Sequence, residues 1–292
     1  MLIHTISNIV EGFIIQRPSK KIKSPYVADV MVGDEEYLAH CPSLGLCGMI
    51  TKGSLVFMTE SSTNTKTDFK IHCVLVQEED AKTEYSPNGS VLVGCDPILS
   101  NKIGKTLFLS KNFPYFNDYS EHKQEYKWGN SRFDHYFKIN GVETLVEIKS
   151  VPTCDYRLDI NFDQKNQKLR DIHKNRCYQQ CTKDEYKRRA TFPDGYKKSK
   201  NATVSERANK HLMELQKAAS TSNTEAYLTL FIMRNDCYSF QPAWQVDPLY
   251  NNLFNTAIEN GVNIKVFKFT WKFEKNSLNI YYDKELKIDI YK

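Results

Sequence analysis

SRFDHYFKINGVETLVEIKSV, residues Ser131–Val151, consists of two runs of strand-forming residues around Asn140-Gly141. That dipeptide suits a two-residue hairpin turn, because both turn positions need positive φ. Residues facing each other across such a turn have numbers that sum to 281, so Asp134 is expected opposite Glu147 and Arg132 opposite Lys149. Alternation places Val146 and Ile148 on the other face, beside Phe133 and Phe137. One face of the hairpin is then apolar, and the other concentrates two acids and two bases.

Two carboxylates directly opposite each other repel and weaken the strand pair. Two arrangements remove that cost. In one, the four charges form a solvent-exposed square, held by diagonal Asp134–Lys149 and Arg132–Glu147 attractions. In the other, a divalent cation bridges the carboxylates and Lys149 faces the same site. The hairpin pattern is compatible with both.

A chain of 292 residues can bury a substantial core as one domain or two. Its longest apolar runs, such as Leu228–Met233, suit a buried strand rather than a membrane span. The N-terminal MLIHTISNIVEGFII has no basic segment followed by an apolar core, so a soluble, intracellular protein is expected. Eight scattered cysteines without a C-x-x-C are expected as reduced thiols. His173, Cys177 and Cys181 recur every four residues, but a fourth zinc ligand is not evident.

Net charge is +5, unevenly spread: Lys165–Lys200 carries 12 Lys or Arg against 4 Asp or Glu, so the rest of the chain is slightly acidic. A local excess of this kind suits contact with a polyanion, and equally a solvated insertion.

Short patterned runs at Glu11–Gln16, Tyr26–Val32, Glu36–Ala39, Ser54–Glu60 and Phe69–Gln77 predict a small five-stranded β-barrel of OB type over residues 1–82, a frequent platform for single-stranded nucleic acid. Gln77–Asn88 is polar and reads as a linker. Residues 83–292 predict a mixed α/β domain. It starts with a short strand at Ser90–Val93 and a helix over Pro97–Ser110 carrying Ile98, Ile103 and Leu107, followed by an irregular aromatic stretch from Asn112 to Glu125. The basic residues then interrupt the rhythm as an insertion at about 152–190. Thr203-x-x-Glu206 reads as a capping box opening a helix whose Ala208, Leu212, Leu215 and Ala219 face the sheet. Arg207, Lys210, His211 and Glu214 fall on its other faces. Ala226–Met233 has the composition of a central strand, and Asp247-Pro248 starts a helix through Leu249, Leu253, Phe254 and Ile258 that stops at Gly261. A strand over Val262–Lys272 follows, and Asn279–Tyr291 reads as extended.

AHCPSLGLCGMI, GSLVFM, SRFDHYFKI…TLVEIKSV, ATFPDG, SERANKHLMEL and RNDCYSFQPAWQVDP together resemble the sugar fermentation stimulation protein A family, in that family's order and over nearly the whole chain. The resemblance implies an OB-like barrel followed by a restriction-endonuclease-like domain of PD-(D/E)xK type, associated with DNA binding. By position, Asp134 matches the first acid of the nuclease motif, Glu147 and Lys149 its E-x-K, and Glu125 the acid before the hairpin. Ser43 stands where the family has Asn, Ala208 stands where it has Gly, and the basic insertion replaces a compact link.

The implied activity is Mg²⁺-dependent hydrolysis of DNA, with Mn²⁺ as an alternative ion and RNA as an alternative substrate. Asp134, Glu147 and the Ile148 carbonyl would hold the ion, Lys149 would orient water or offset charge, and Glu125 would complete the outer shell. Candidate nucleic-acid contacts are Arg132, Lys187, Arg188, Arg189, Arg207 and Lys210. A DNA-binding regulator that keeps these charges without cleaving is the alternative.

Overall fold

The computed structural model describes residues 1–43, 49–63, 65–77, 88–110, 113–154, 188–193, 203–244 and 246–290. Most of the basic insertion, Lys187 and the His173/Cys177/Cys181 set fall outside these residues, as do the expected linker over residues 78–87 and part of the AHCPSLGLCGMI loop.

The chain opens with β1 (Leu2–Ile6) and continues through β2 (Val10–Gln16), β3 (Val27–Val32), β4 (Glu35–His40), β5 (Leu55–Glu60), β6 (Phe69–Gln77) and β7 (Ser90–Gly94). Strands β2–β6 are hydrogen-bonded in the order β4-β3-β2-β5-β6, and a β4–β6 pairing closes them into a five-stranded barrel. Its interior is filled by apolar residues, among them Ile14, Val30, Ala39, Val56, Ile71 and Val74. All five expected barrel strands are present.

The expected boundary at residue 82 does not follow the hydrogen bonding. β1 pairs antiparallel with β15 of the second sheet, and β7 extends the barrel sheet by pairing with β6. β1 finds its partner more than 270 residues away, so no local pattern announces it.

The second part comprises α1 (Pro97–Phe108), β8 (Tyr119–Trp128), β9 (Ser131–Ile139), β10 (Val142–Val151), β11 (Arg189–Phe192), α2 (Glu206–Ala219), β12 (Thr224–Ile232), β13 (Ser239–Pro242), α3 (Pro248–Glu259), β14 (Asn263–Glu274), β15 (Ser277–Glu285) and β16 (Lys287–Ile288). Seven strands form one mixed sheet in the order β1-β15-β14-β12-β10-β9-β8. β10, β12 and β14 run parallel, with α2 leading into β12 and α3 joining β12 to β14. β12 is central and buried on both faces, as its near-continuous apolar run requires. β11, β13 and β16 form a small parallel sheet. The second half of Asn112–Glu125, expected as irregular, is instead the start of edge strand β8, and Asn279–Tyr291 supplies most of β15 together with β16.

The large sheet is covered on both sides. α2 and α3 pack on one face through Ala208, Leu212, Leu215, Tyr250, Phe254 and Ala257. α1 and the barrel cover the other face through Leu99, Ile103, Leu107, Phe57 and Cys73. Three helix expectations are corrected. Ile98 is 62% exposed and Leu99 takes its place in the core. Ser205, not Thr203, caps α2, its hydroxyl accepting the Ala208 amide at 3.2 Å; Thr203 instead donates to Asp247, the N-cap of α3. His211 and Glu214, placed outside the apolar stripe by periodicity, are buried.

Barrel and sheet meet at Gly94, whose amide donates to the Met233 carbonyl at 2.9 Å. A Cβ at this position would lie 2.1 Å from Cζ2 of Trp271, a rigid ring in the core. Gly94→Ala is therefore expected to cost about 1–3 kcal/mol by overpacking, read as a lower urea midpoint. An unchanged midpoint would contradict this close approach. Among the described residues, no helix is long and apolar enough to cross a membrane, and Cys41, Cys73, Cys95, Cys154 and Cys237 are buried.

Candidate functional site

The hairpin closes as its turn chemistry requires: Asn140 and Gly141 take φ +50° and +84°, and the 281 register holds from Val142–Ile139 to Val146–His135. The ladder stops there, one rung short of Asp134–Glu147. The Ile148 amide, which a continued ladder would give to the β9 backbone, donates to Asp134 Oδ2 at 2.7 Å.

The break lies beside an irregularity in β8. Gln124 pairs with His135 and Tyr126 with Phe133, but the intervening rung, Glu125 with Asp134, is absent, and Glu125 has φ +50°. A left-handed residue inside a strand reverses the alternation of side chains. Tyr126 therefore stacks on Tyr136, with ring centroids 4.3 Å apart. Phe133 packs into the α2/α3 side of the sheet while His135 and Phe137 pack toward α1. The expectation that Phe133 and Phe137 share a face is thus corrected.

Of the two arrangements open to the hairpin charges, the solvent-exposed square does not form. Arg132 is exposed and sits opposite Lys127. Glu147 is only 2% exposed, and Lys149 Nζ donates to its Oε1 at 2.5 Å. The same Oε1 is in close hydrogen-bonding contact with Nδ1 of His211, which reaches in from α2. Oε2 of Glu147 is buried without a hydrogen-bond partner. Asp134 is positioned from the opposite side of the sheet: Asn101 of α1 donates to its Oδ1 at 2.8 Å. α1 is in turn fastened to the barrel by its N-cap Asp96, which pairs with Lys70 of β6 at 2.6 Å.

These groups border a cleft of about 400 Å³ whose lining includes Asn101, Asp134, Glu147, Ile148, Lys149 and Arg207. The two acids are driven apart electrostatically. Burial, then the neighbouring Glu147 charge, raises Asp134 to about 6, against the opposing hydrogen bonds from Ile148 and Asn101. Burial alone would also raise Glu147, but Lys149 and His211 outweigh it and hold this carboxyl below its ordinary range. One cleft therefore holds a firmly ionised acid beside one that titrates near neutrality, a combination suited to acid–base or metal chemistry.

The other expected contact residues are dispersed. Arg207 is exposed and lines the cleft. Lys210 is exposed on the same helix and donates to the Asn130 carbonyl at 3.0 Å. Arg189 is half-buried in β11. Arg188 is buried, 1% exposed, with Nε 3.2 Å from Asp236, so its charge is neutralised inside the fold and does not reach a polyanion. Glu125 is exposed and lies outside the cleft lining; its backbone, through the reversal of alternation, shapes the site.

One site residue, Asn101, escaped the sequence reading. His211 is expected from the sequence as a packing or hydrogen-bonding residue, and among the histidines as the best secondary candidate, because the helix that bears it resembles the family. Asn101 carries no distinguishing local signal, since a polar residue on an amphipathic helix is ordinarily solvated.

A closed OB-like barrel followed by a mixed α/β sheet, with Asp134 and a Glu-x-Lys pair gathered at a strand hairpin, defines an OB-plus-restriction-endonuclease-like protein. The model of the sugar fermentation stimulation protein RE domain matches residues 98–164 and 154–275. The chain belongs to the sugar fermentation stimulation protein family. Sugar fermentation stimulation protein homologs from Desulforamulus reducens and Synechococcus elongatus are 26% and 27% identical to it, over 89% and 91% of this chain and 85% and 91% of theirs. A solved structure of Pyrococcus furiosus SfsA in complex with Ca²⁺ has the same fold, with TM-score 0.70 at 19% identity, covering 99% of this chain and 100% of that one.

Proposed function

We propose that the protein is a metal-dependent nuclease that hydrolyses phosphodiester bonds in DNA. The observation that carries this reading is Glu147 Oε2, a buried carboxylate oxygen without a hydrogen-bond partner, in a cleft that also presents Asp134, Lys149 and Arg207. A buried acceptor left without a donor is costly unless a ligand completes it. Asp134 and Glu147 offer hard oxygen donors suited to Mg²⁺ or Mn²⁺, with the Ile148 carbonyl as a further donor. Mg²⁺ keeps several waters, so two protein carboxylates suffice to hold it; among the described residues there is no cluster of three His, Cys, Asp or Glu. The Ca²⁺ held by the Pyrococcus furiosus protein supports the choice of a hard divalent cation.

When bound, such an ion acidifies a coordinated water and neutralises charge developing on phosphate. Lys149, held at 2.5 Å from Glu147, orients the attacking water and offsets the same charge. Arg207, exposed at the cleft wall, pairs with a backbone phosphate. The barrel and the basic segment supply further nucleic-acid contacts.

Labelled single- and double-stranded DNA and RNA are incubated with the parent protein, Asp134→Ala and Lys149→Ala, in Mg²⁺, Mn²⁺ or EDTA. Cleavage of DNA that needs both metal and Asp134 is expected, and Lys149→Ala is expected to lose at least about 100-fold in rate while retaining DNA binding. Retarded, uncut DNA in every lane would identify a DNA-binding regulator instead, and cleavage confined to RNA would identify an RNA-processing enzyme. Parent-like cleavage by Lys149→Ala would remove Lys149 from the mechanism.

A further inference from the structure

We propose that His211 is a positioning residue of the metal site: its Nδ1 holds one oxygen of Glu147 so that the other is presented to a divalent cation beside Asp134. The inference rests on the metal-site reading above and adds a residue to it. Oε1 of Glu147 receives two partners, Lys149 Nζ at 2.5 Å and His211 Nδ1 in closer contact, while Oε2 receives none. Two donors occupy the two lone pairs of Oε1, so all of the accepting capacity left on this buried carboxylate lies on Oε2.

His211 Nδ1 also lies 3.1 Å from Lys149 Nζ. A single ring nitrogen cannot donate to the carboxylate and accept from the ammonium in one tautomer. The nearer partner, Glu147, assigns the proton to Nδ1, with His211 as donor.

The ring has a fixed platform. His211 is 7% exposed on a helix whose neighbouring Ala208, Leu212 and Leu215 lie in the core and whose start is capped by Ser205. Asn101 does the corresponding work for Asp134 from α1. Each carboxylate is thus held by a helix from a different face of the sheet, and the spacing between their free lone pairs follows from helix packing. Lys149 can rotate about four side-chain bonds; the imidazole, anchored on a packed helix, cannot follow it. Hydrogen-bond partners that orient a ligand in this way typically contribute 10–100-fold to metal affinity.

The test is calorimetric titration of the full-length protein with MnCl₂, without nucleic acid, for the parent, Glu147→Gln, His211→Leu and His211→Asn. His211→Leu keeps the bulk and removes the donor; His211→Asn places an amide N–H near the position of Nδ1. His211→Leu is expected to weaken Mn²⁺ binding about 10–100-fold, and His211→Asn to stay within about threefold of the parent. In cleavage assays, His211→Leu should need proportionally more Mn²⁺ for half-saturation while approaching the parent's maximal rate.

Parent-like Mn²⁺ affinity in His211→Leu would overturn the proposal, as would equal losses in His211→Leu and His211→Asn, which would mark a packing role only. A rate loss in His211→Leu that excess Mn²⁺ does not restore, with affinity unchanged, would assign His211 to Lys149 and likewise overturn it. If the parent binds Mn²⁺ no better than Glu147→Gln, the metal-site reading itself fails. If those two differ while His211→Leu matches the parent, only the role of His211 falls.

Discussion

Asp134→Asn is expected to abolish metal-dependent cleavage and, in the same experiment, to make the metal-free protein more stable at neutral pH. Losing one ligand carboxylate should lower the rate on the order of 10²–10³-fold or more, the scale seen when one strong electrostatic stabiliser is deleted. The gain in stability follows from the raised pKa. Burial and the Glu147 charge move Asp134 from its ordinary 3.8 to about 6, so the folded protein binds this proton more tightly than the unfolded chain does. Its stabilising effect is complete below pH 4 and is lost as pH rises through 6. At pH 7 the ionised carboxylate opposes folding by an amount on the order of 1–3 kcal/mol.

Asparagine keeps the shape, accepts the Ile148 amide and carries no charge to repel Glu147; the Asn101 amide can turn to offer its oxygen. The stability difference between Asp134→Asn and parent, from urea denaturation in EDTA, should therefore widen between pH 4 and pH 7. Adding Mn²⁺ should stabilise the parent and not the variant, because a ligand stabilises only the state that binds it. A variant less stable than parent at pH 7 in EDTA would refute the electrostatic account. A parent indifferent to Mn²⁺ would refute the metal account.

Asp236→Ala is expected to lose about 3–5 kcal/mol of stability, the cost of removing one member of a buried ionic group. Asp236 takes a bidentate pair from Arg234, Nε at 2.6 Å and Nη2 at 2.7 Å, and its Oδ2 lies 3.2 Å from Arg188 Nε. All three side chains are at most 1% exposed. Burial would raise the Asp236 carboxyl, but Arg234 and then Arg188 outweigh it and hold it low. Alanine would leave two guanidinium groups inside the fold without this carboxylate, whereas Asp236→Asn keeps an acceptor oxygen and should lose less. Urea midpoints for the two variants check the order. Equal, small losses would show that the charges are hydrated and would return Arg188 to the candidate nucleic-acid contacts.

Much of this molecule is legible in local pattern. The five barrel strands, the central strand, the Asp247-Pro248 helix start and the Asn140-Gly141 turn all follow from nearest-neighbour chemistry, because each depends on residues within one turn or one strand. The hairpin register is of the same kind, and it holds from the turn to the rung before the acids. Beyond that rung the pattern misleads. Simple alternation pairs Asp134 with Glu147 and puts Phe133 with Phe137, but the ladder ends before the acids, beside the left-handed Glu125 of the neighbouring strand, and the two phenylalanines fall on opposite faces.

Charge alone likewise cannot separate Arg188, buried against Asp236, from Arg207, exposed at the cleft. The difference is burial, which a short window of residues does not record. The Asp134, Glu147 and Lys149 of the opening hairpin were identifiable from their order and spacing, since two strands joined by a two-residue turn must bring them close. Their electrostatic character was not. It depends on His211 from one face, Asn101 from the other, and a depth of burial that leaves Glu147 Oε2 without a donor. His211 lies 64 residues from Glu147 along the chain and Asn101 lies 33 from Asp134, and only the packing of two helices on opposite sides of one sheet brings them to the same pair of carboxylates.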